Sequence, residues 1–297
     1  MTKKNSAWIR LIAFSIVALI LTGILLIGCF GDGLHFDSDF SFGFFTGSHY
    51  SNADAYTVGS GSVAADTLTD MEINWTSGEV TIVPSDGKEI EISENSSGKL
   101  KDKDKLRYLY QNGKLTVQYR KSAFFLFSSH PDKKLEVKIP RSLITQLSNV
   151  IVDSVSADVT LSELTTKTLD IETVSGVIKS TGITASQKAD IETVSGDVNM
   201  DGSFGGIDSE TVSGNCEYTS KTTPGNADFE SVSGDILVTL PQDTSFKADY
   251  DTVSGDFVCD FESTNKDDSV IHGSGENHFD FETVSGDIRL SPLPTTK

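Results

Sequence analysis

A pentapeptide recurs through the second half of this chain, and it limits the fold more than any other feature. Glu172-Thr173-Val174-Ser175-Gly176 returns as Glu192 to Gly196, Glu210 to Gly214, Glu230 to Gly234 (with Ser231), Asp251 to Gly255 and Glu282 to Gly286. An outlying copy, Asp153-Ser154-Val155-Ser156-Ala157, stands upstream. From Ala157 the closing small residues step by 19, 20, 18, 20, 21 and 31. A unit of this size cannot bury its own apolar face, so such units must stack.

Apolar positions recur at fixed offsets from each anchor glycine. Five residues before it stand Ile171, Ile191, Ser209, Phe229, Tyr250 and Phe281; two after it stand Ile178, Val198, Cys216, Ile236, Phe257 and Ile288. Alternation on both sides of Val-Ser-Gly describes two short strands meeting at a corner, where glycine admits a close backbone approach. The expected fold is all-β, a parallel β-solenoid of ~20-residue coils over residues 151–297. Antiparallel hairpins wound into a sandwich are the alternative, and recurrence at a single register favours the solenoid. The long last interval makes Glu262–Asn277 a loop bulging from the final coil. Pro292 and Pro294 are expected to end strand pairing.

Residues 66–150 read as a β-rich capping segment. Ile73-Asn74-Trp75-Thr76-Ser77-Gly78-Glu79-Val80 aligns with the later repeats as a degenerate first copy. Period-two patterns at Ile90 and Ile92, Leu106 to Tyr110, Leu115 to Tyr119 and Leu135 to Ile139 mark strands. Asn112-Gly113 marks a tight hairpin turn. A segment of this kind would close an array end that otherwise invites edge pairing.

The N-terminus has a different character. Lys3, Lys4 and Arg10 precede Leu11–Phe30, twenty uncharged residues that suffice to cross a bilayer. Basic flanks before the run and Asp32, Asp37 and Asp39 after it place 1–10 in the cytoplasm and the rest outside. The preferred reading is an uncleaved N-terminal transmembrane helix at 11–30 embedded in membrane lipid. The alternative is a lipoprotein anchored at Cys29, because Leu26-Ile27-Gly28-Cys29 resembles a lipobox. Residues 31–65, rich in Gly, Ser, Asp and Phe, read as a flexible linker.

Charge is unevenly placed. Residues 1–150 hold 16 Lys/Arg and 16 Asp/Glu, so the whole net charge of −19 falls on residues 151–297, with 8 and 27. An acidic repeat half repels phosphate backbones and excludes nucleic acid as a partner. Stacking would set carboxylates in rows: Asp153, Glu172, Glu192, Glu210, Glu230, Asp251 and Glu282 in one, and Asp158, Asp197, Asp235, Asp256 and Asp287 in another. Neighbours about 4.8 Å apart make a solvated acidic face. They are also calcium candidates, since calcium takes several oxygen ligands, although the spacing is not that of the glycine-rich calcium repeat. No other cofactor is expected.

Catalysis finds little support. Ser175, Ser195, Ser213, Ser233, Ser254 and Ser285 repeat identically, whereas a nucleophile is needed once. The Lys and Arg residues of the repeat half form no cluster, so no acid–base pair stands out from the rows. His272 and His278, with Glu276 and Asp280, are a weak metal signal in the long last interval. Cys216 and Cys259, read as two coils apart, lie beyond disulfide reach and replace buried hydrophobes. The chain is therefore read as non-enzymatic. A carbohydrate-active β-helix enzyme is the remote alternative.

The Val-Ser-Gly-Asp units, the preceding Val137 to Pro140 (Val-x-Ile-Pro) and the N-terminal apolar run together resemble the bacterial putative-adhesin family of β-strand-repeat proteins. This is a domain of unknown function that includes LiaG-like envelope proteins. The resemblance covers roughly residues 65–290 and carries no catalytic residues. It implies a solenoid outside the membrane, linked to adhesion or to envelope stress. Its partner would be the cell wall, or another membrane protein for which this chain acts as a sensory or scaffold subunit. Two departures stand out: Asn215 where Asp is usual, and the long final interval.

Overall fold

The structure, a computed structural model, describes residues 50, 52–121, 132–266 and 268–294. The basic tail at 1–10, the apolar run at 11–30, Cys29 and the linker phenylalanines lie outside these residues. No helix among the described residues is long and apolar enough to cross a membrane.

The described chain is all-β, with its 21 strands joined in one mixed sheet. The strands β1 (Thr57–Val58) and β2 (Gly61–Val63) come first and pair antiparallel with β5 (Arg107–Gln111) and β4 (Ile90–Ser96). The linker read over 31–65 therefore ends earlier than its composition suggests. Thr57, Val58 and Val63 satisfy edge backbone, and Gly59, at φ 80°, turns the chain between the two short strands.

The cap continues through β3 (Asp70–Ser85), β6 (Lys114–Gln118) and β7 (Lys133–Pro140). β5 and β6 form a hairpin through Asn112 (φ 52°) and Gly113 (φ 79°). β6 and β7 pair in parallel with the two halves of β3. Behind them lies a buried charge. Lys133 Nζ is fully enclosed, 2.5 Å from Glu94 Oε1, and donates to the Asp104 and Tyr119 carbonyls. It also sits 3.8 Å from the Tyr119 ring centroid and 4.8 Å from that of Trp75. An enclosed ammonium is tolerable only when paired and hydrogen-bonded in this way.

β8 (Asn149–Ser162), β9 (Thr165–Ser175), β10 (Ile178–Ser195), β11 (Val198–Phe204) and β12 (Gly206–Ser213) build the first coils. β13 (Cys216–Ser220), β14 (Asn226–Ser233), β15 (Ile236–Leu240), β16 (Phe246–Ser254) and β17 (Phe257–Cys259) follow. Pairing between coils is parallel and in register: Glu172 lies opposite Glu192, Ser175 opposite Ser195 and Ile178 opposite Val198. Gly78 of β3 lies opposite Ala157 of β8, so β3 stands as a coil of the same stack. The positions five before and two after each anchor glycine face inward, as do Met200, Tyr218, Val238 and Leu290 four after it, and they form one continuous core with the cap.

The corner explains the glycine. A Cβ on Gly234 would overlap the Gly214 carbonyl oxygen of the coil before it, and φ is 145° there. Ala157 stands only at the first repeat.

The last third departs from sequence order. β18 (Thr264–Lys266) and β19 (Ser269–His272) form an antiparallel hairpin, and β19 pairs with β16. Glu262–Asn277 is thus no simple loop: Val270 is buried and Phe261 and His272 pack on Phe246, which gives the excursion a core of its own. The chain then returns as β20 (Asn277–Ser285), which inserts between β14 and β16. β21 (Ile288–Pro292) likewise lies between β15 and β17. The coils stack in the order β3, β8, β9, β10, β12, β14, β20, β16. Leu240 lies opposite Pro292, so pairing reaches the first of the two prolines.

Candidate functional site

The inserted strand reorders both carboxylate rows. In the first, Glu282 lies between Glu230 and Asp251, so the column runs Asp153, Glu172, Glu192, Glu210, Glu230, Glu282, Asp251. The same insertion separates Cys216 from Cys259 by three levels, through Ile236 and Ile288, instead of two. Both thiols are free; Cys216 is buried and Cys259 half-buried.

A second column runs beside the first and escaped the sequence reading. Asp170, Asp190, Asp208, Asp228, Asp280 and Asp249 pair in register two residues before the glutamates. Residues two apart on a strand share a face, so the two columns form one acidic surface. The signal was present, because each of these aspartates sits six residues before its anchor glycine.

Crowding alters the chemistry of these groups. Burial raises Glu172 to about 8, with Glu192 and Asp153 adding repulsion. Burial likewise takes Glu192 and Glu230 to about 7, each also repelled by Glu210. Asp153 reaches about 6 through burial and then Asp170. Glu210, Glu282, Asp170, Asp228, Asp280 and Asp251 are raised for the same reason, burial first. A surface of this kind gains free energy by taking up positive charge.

One cation within the chain shows how. Lys188 Nζ lies 2.6 Å from Asp190 Oδ2 and 2.9 Å from Asp208 Oδ2, bridging two levels of the aspartate column. Burial opposes its charge, but the two hydrogen bonds outweigh that and hold the ammonium protonated. Lys247 pairs with Asp249 at the far end of the column.

The row at Asp158, Asp197, Asp235, Asp287 and Asp256 has different work. Asp158 Oδ1 accepts the Val177 N–H at 2.8 Å and Asp197 Oδ1 the Asn215 N–H at 2.9 Å. Asn215 Oδ1 accepts the Asp235 N–H, Asp235 Oδ1 the Asp287 N–H and Asp287 Oδ1 the Asp256 N–H. These side chains stitch one coil to the next. Asn215 serves because the bond needs an oxygen acceptor and no charge.

Among the described residues no three His, Cys, Asp or Glu side chains converge as a metal ion requires. His272 Nδ1 is 2.8 Å from the Glu262 carbonyl oxygen, whereas His278 Nε2 faces Asp249 at 3.7 Å. The two histidines share no site. The repeated serines stack in register on the outer side of the corner. Inside it, the hydroxyls of Thr193, Thr211, Ser231, Thr283 and Thr252 are enclosed and have no partner within the protein.

The family model for Toastrack DUF4097 matches residues 68–291. The chain belongs to the Toastrack DUF4097 family. No curated protein matches it. Among solved structures, this Toastrack chain is similar to a "putative adhesin" from Bacteroides fragilis at 9% identity and a TM-score of 0.39, covering 80% of this chain and 97% of that one. It is also similar to a "putative cell adhesion protein" from Clostridium sporogenes at 11% identity and a TM-score of 0.31, covering 80% and 100%. A "putative lipid binding protein" from Parabacteroides distasonis is similar at 10% identity and a TM-score of 0.29, covering 79% and 96%.

Proposed function

We propose that this chain is a non-enzymatic, membrane-anchored and extracytoplasmic β-solenoid, an adhesin or cell-envelope interaction protein. It would present its two-column acidic face to a cationic partner on the cell wall or on another protein. The observation that carries this reading is the pair of in-register columns, whose carboxyls are crowded and partly dry. Lys188 supplies the pattern for the partner: an amine that bridges carboxylates on adjacent levels. The apolar run at 11–30 supports the anchor, and the Toastrack family with its adhesin-described relatives supports the class. Binding to a wall needs no reacting group, and the Asp-x-Glu pair before the corner recurs from repeat to repeat. Calcium is a candidate counter-ion for the face and has no part in carrying the reading.

The test is co-sedimentation of the full chain with isolated cell walls, in calcium and in chelator. Pelleting that is lost in Glu192→Lys and weakened by salt supports the acidic face. Loss in chelator assigns a divalent cation to it. A chain that stays in the supernatant under both conditions overturns wall binding.

A further inference from the structure

The two ends of the stack differ. At the cap end β1 and β2 close the sheet, and the chain from residues 1–49 joins there, at Tyr50. At the other end lies the coil of β16 and β17. β19 covers only Phe246 to Asp249, and the Tyr250 N–H donates to the Asp268 carbonyl. From Asp251 to Cys259 no strand among the described residues pairs with the outer edge, and β17 pairs with β21 alone.

This edge is laid out for one more level. From Gly196 onward the corner glycine N–H donates to the serine carbonyl of the next coil, through Gly214 and Gly234 to Gly286, which donates to Ser254; the Gly255 N–H has no such successor among the described residues. The Ile288 N–H donates to the Asp256 carbonyl, and the Asp260 N–H to the Leu290 carbonyl. Alternation along the strand therefore turns the N–H and C=O groups of Phe257 and Cys259 outward. Asp256 is the last of the stitching side chains, and its carboxylate has no following N–H to accept. The end of the core is open as well: the Tyr250 and Phe257 rings stack at 3.9 Å and are only half-buried.

Charge and shape then restrict what can dock. Asp251 is repelled by Asp268 and Asp280, and Asp256 lies close by in the chain, so a second copy presenting the same edge would meet like charge. A cationic strand is favoured instead. At the corner, an incoming residue opposite Gly255 occupies the place that Gly255 takes relative to Gly286. A Cβ on Gly255 would overlap the Gly286 carbonyl oxygen, so an incoming strand that keeps this corner geometry needs glycine there.

We propose that the strip from Asp251 to Cys259 is a β-augmentation site for an extended strand of another protein. That strand runs parallel to β16 and β17, with Lys or Arg opposite Asp251, Gly opposite Gly255, and apolar residues opposite Phe257 and Cys259. Main-chain pairing provides affinity in this mode, and side-chain fit provides specificity. The strip shares Asp251 with the end of the acidic face, but its unpaired edge and glycine corner do not depend on that reading.

The probe is a fluorescent, end-blocked peptide, Lys-Thr-Val-Ser-Gly-Lys-Ile-Thr-Val, titrated with the purified full chain and followed by anisotropy. Saturable binding is expected, with at least a tenfold loss when the peptide Gly becomes Ala and a similar loss when both Lys become Glu. Asp251→Lys should weaken the lysine peptide and restore the glutamate one. Cys259→Pro removes an outward N–H and, with it, a half-buried thiol that accepts from Ser263; it should abolish binding while circular dichroism stays unchanged, and Cys259→Ala, which keeps the N–H, should retain binding. Failure of the wild-type chain to bind overturns the proposal. So does equal binding of the Gly-to-Ala peptide, which carries the same charge and would report mere attraction to acidic residues. A concentration-dependent dimer of the full chain, dissolved by Asp251→Lys or Cys259→Pro, overturns it too, by naming a second copy as the occupant.

Discussion

The Tyr218 hydroxyl donates to Ser209 Oγ at 2.9 Å, and Ser209 Oγ lies 3.9 Å from Cys216 Sγ as its donor. Ser209 is the one polar residue in a column otherwise filled by Ile, Phe and Tyr, and Tyr218 is the one phenol at a site where neighbours carry Met, Val and Leu. The two exceptions answer each other. Tyr218 fills the space that Ser209 leaves, against Phe204 and Phe229, and Ser209 satisfies the phenol. Ser209→Ala should cost about 1–3 kcal/mol, because it orphans an enclosed hydroxyl. In Ser209→Ala/Tyr218→Phe much of that loss should return. Denaturant midpoints of the four proteins decide this; purely additive losses would refute the coupling.

The hydroxyl of Thr283 is fully enclosed and has no partner within the protein. Thr283→Val keeps the shape and removes an unsatisfied group, so it should stabilise by about 1 kcal/mol. A lower midpoint would show that water fills the corner and bonds this hydroxyl.

Stability should fall as pH rises. Glu172, Glu192, Glu230 and Asp153 hold their protons more tightly folded than unfolded, with folded values of about 8, 7, 7 and 6. Their contribution is fully present below the unfolded carboxyl values, near 4, and is withdrawn as pH climbs through 6 to 8. Tm should drop between pH 5.5 and 8.5, and Glu192→Gln should raise Tm at pH 8.5 and flatten the profile. A Tm that climbs with pH would contradict the crowding of these carboxyls.

Gly234→Ala should destabilise on the order of 3 kcal/mol, since the added methyl overlaps the backbone of the preceding coil. Gly98 lies in open space, and Gly98→Ala is the matched control with little effect. Similar midpoints for the two variants would remove the close-approach account of the repeat.

The repeat made the stack legible because its spacing carries the period, the inward positions and the corner. Asn112-Gly113 likewise marked its hairpin correctly. What stayed hidden depends on pairing that local pattern does not encode. The interval of 31 showed that something extra follows Asp260, but no single residue announces that β20 goes between β14 and β16. Lys133 and Lys134 are adjacent and identical in the sequence, yet only Lys134 is exposed, because Lys133 meets Glu94 from a strand far away in sequence. The aspartate column is legible in the same way as the glutamates beside it, since each aspartate stands six residues before its anchor glycine. In the Asp158 to Asp256 row, the backbone hydrogen bonds that the side chains accept depend on contacts between coils, which residue type alone does not reveal.

The insertion of β20 also bears on how the protein is made. The coils up to β14 and β15 can dock one after another as the chain emerges N-terminus first, each on a finished predecessor. β16 cannot, because the level on which it rests is built from residues 277–285, which are synthesised later. Until those residues arrive, Phe246 to Cys259 have no parallel neighbour. A chain interrupted anywhere before residue 277 would lose two coils together, so the stack is completed only by a full-length product.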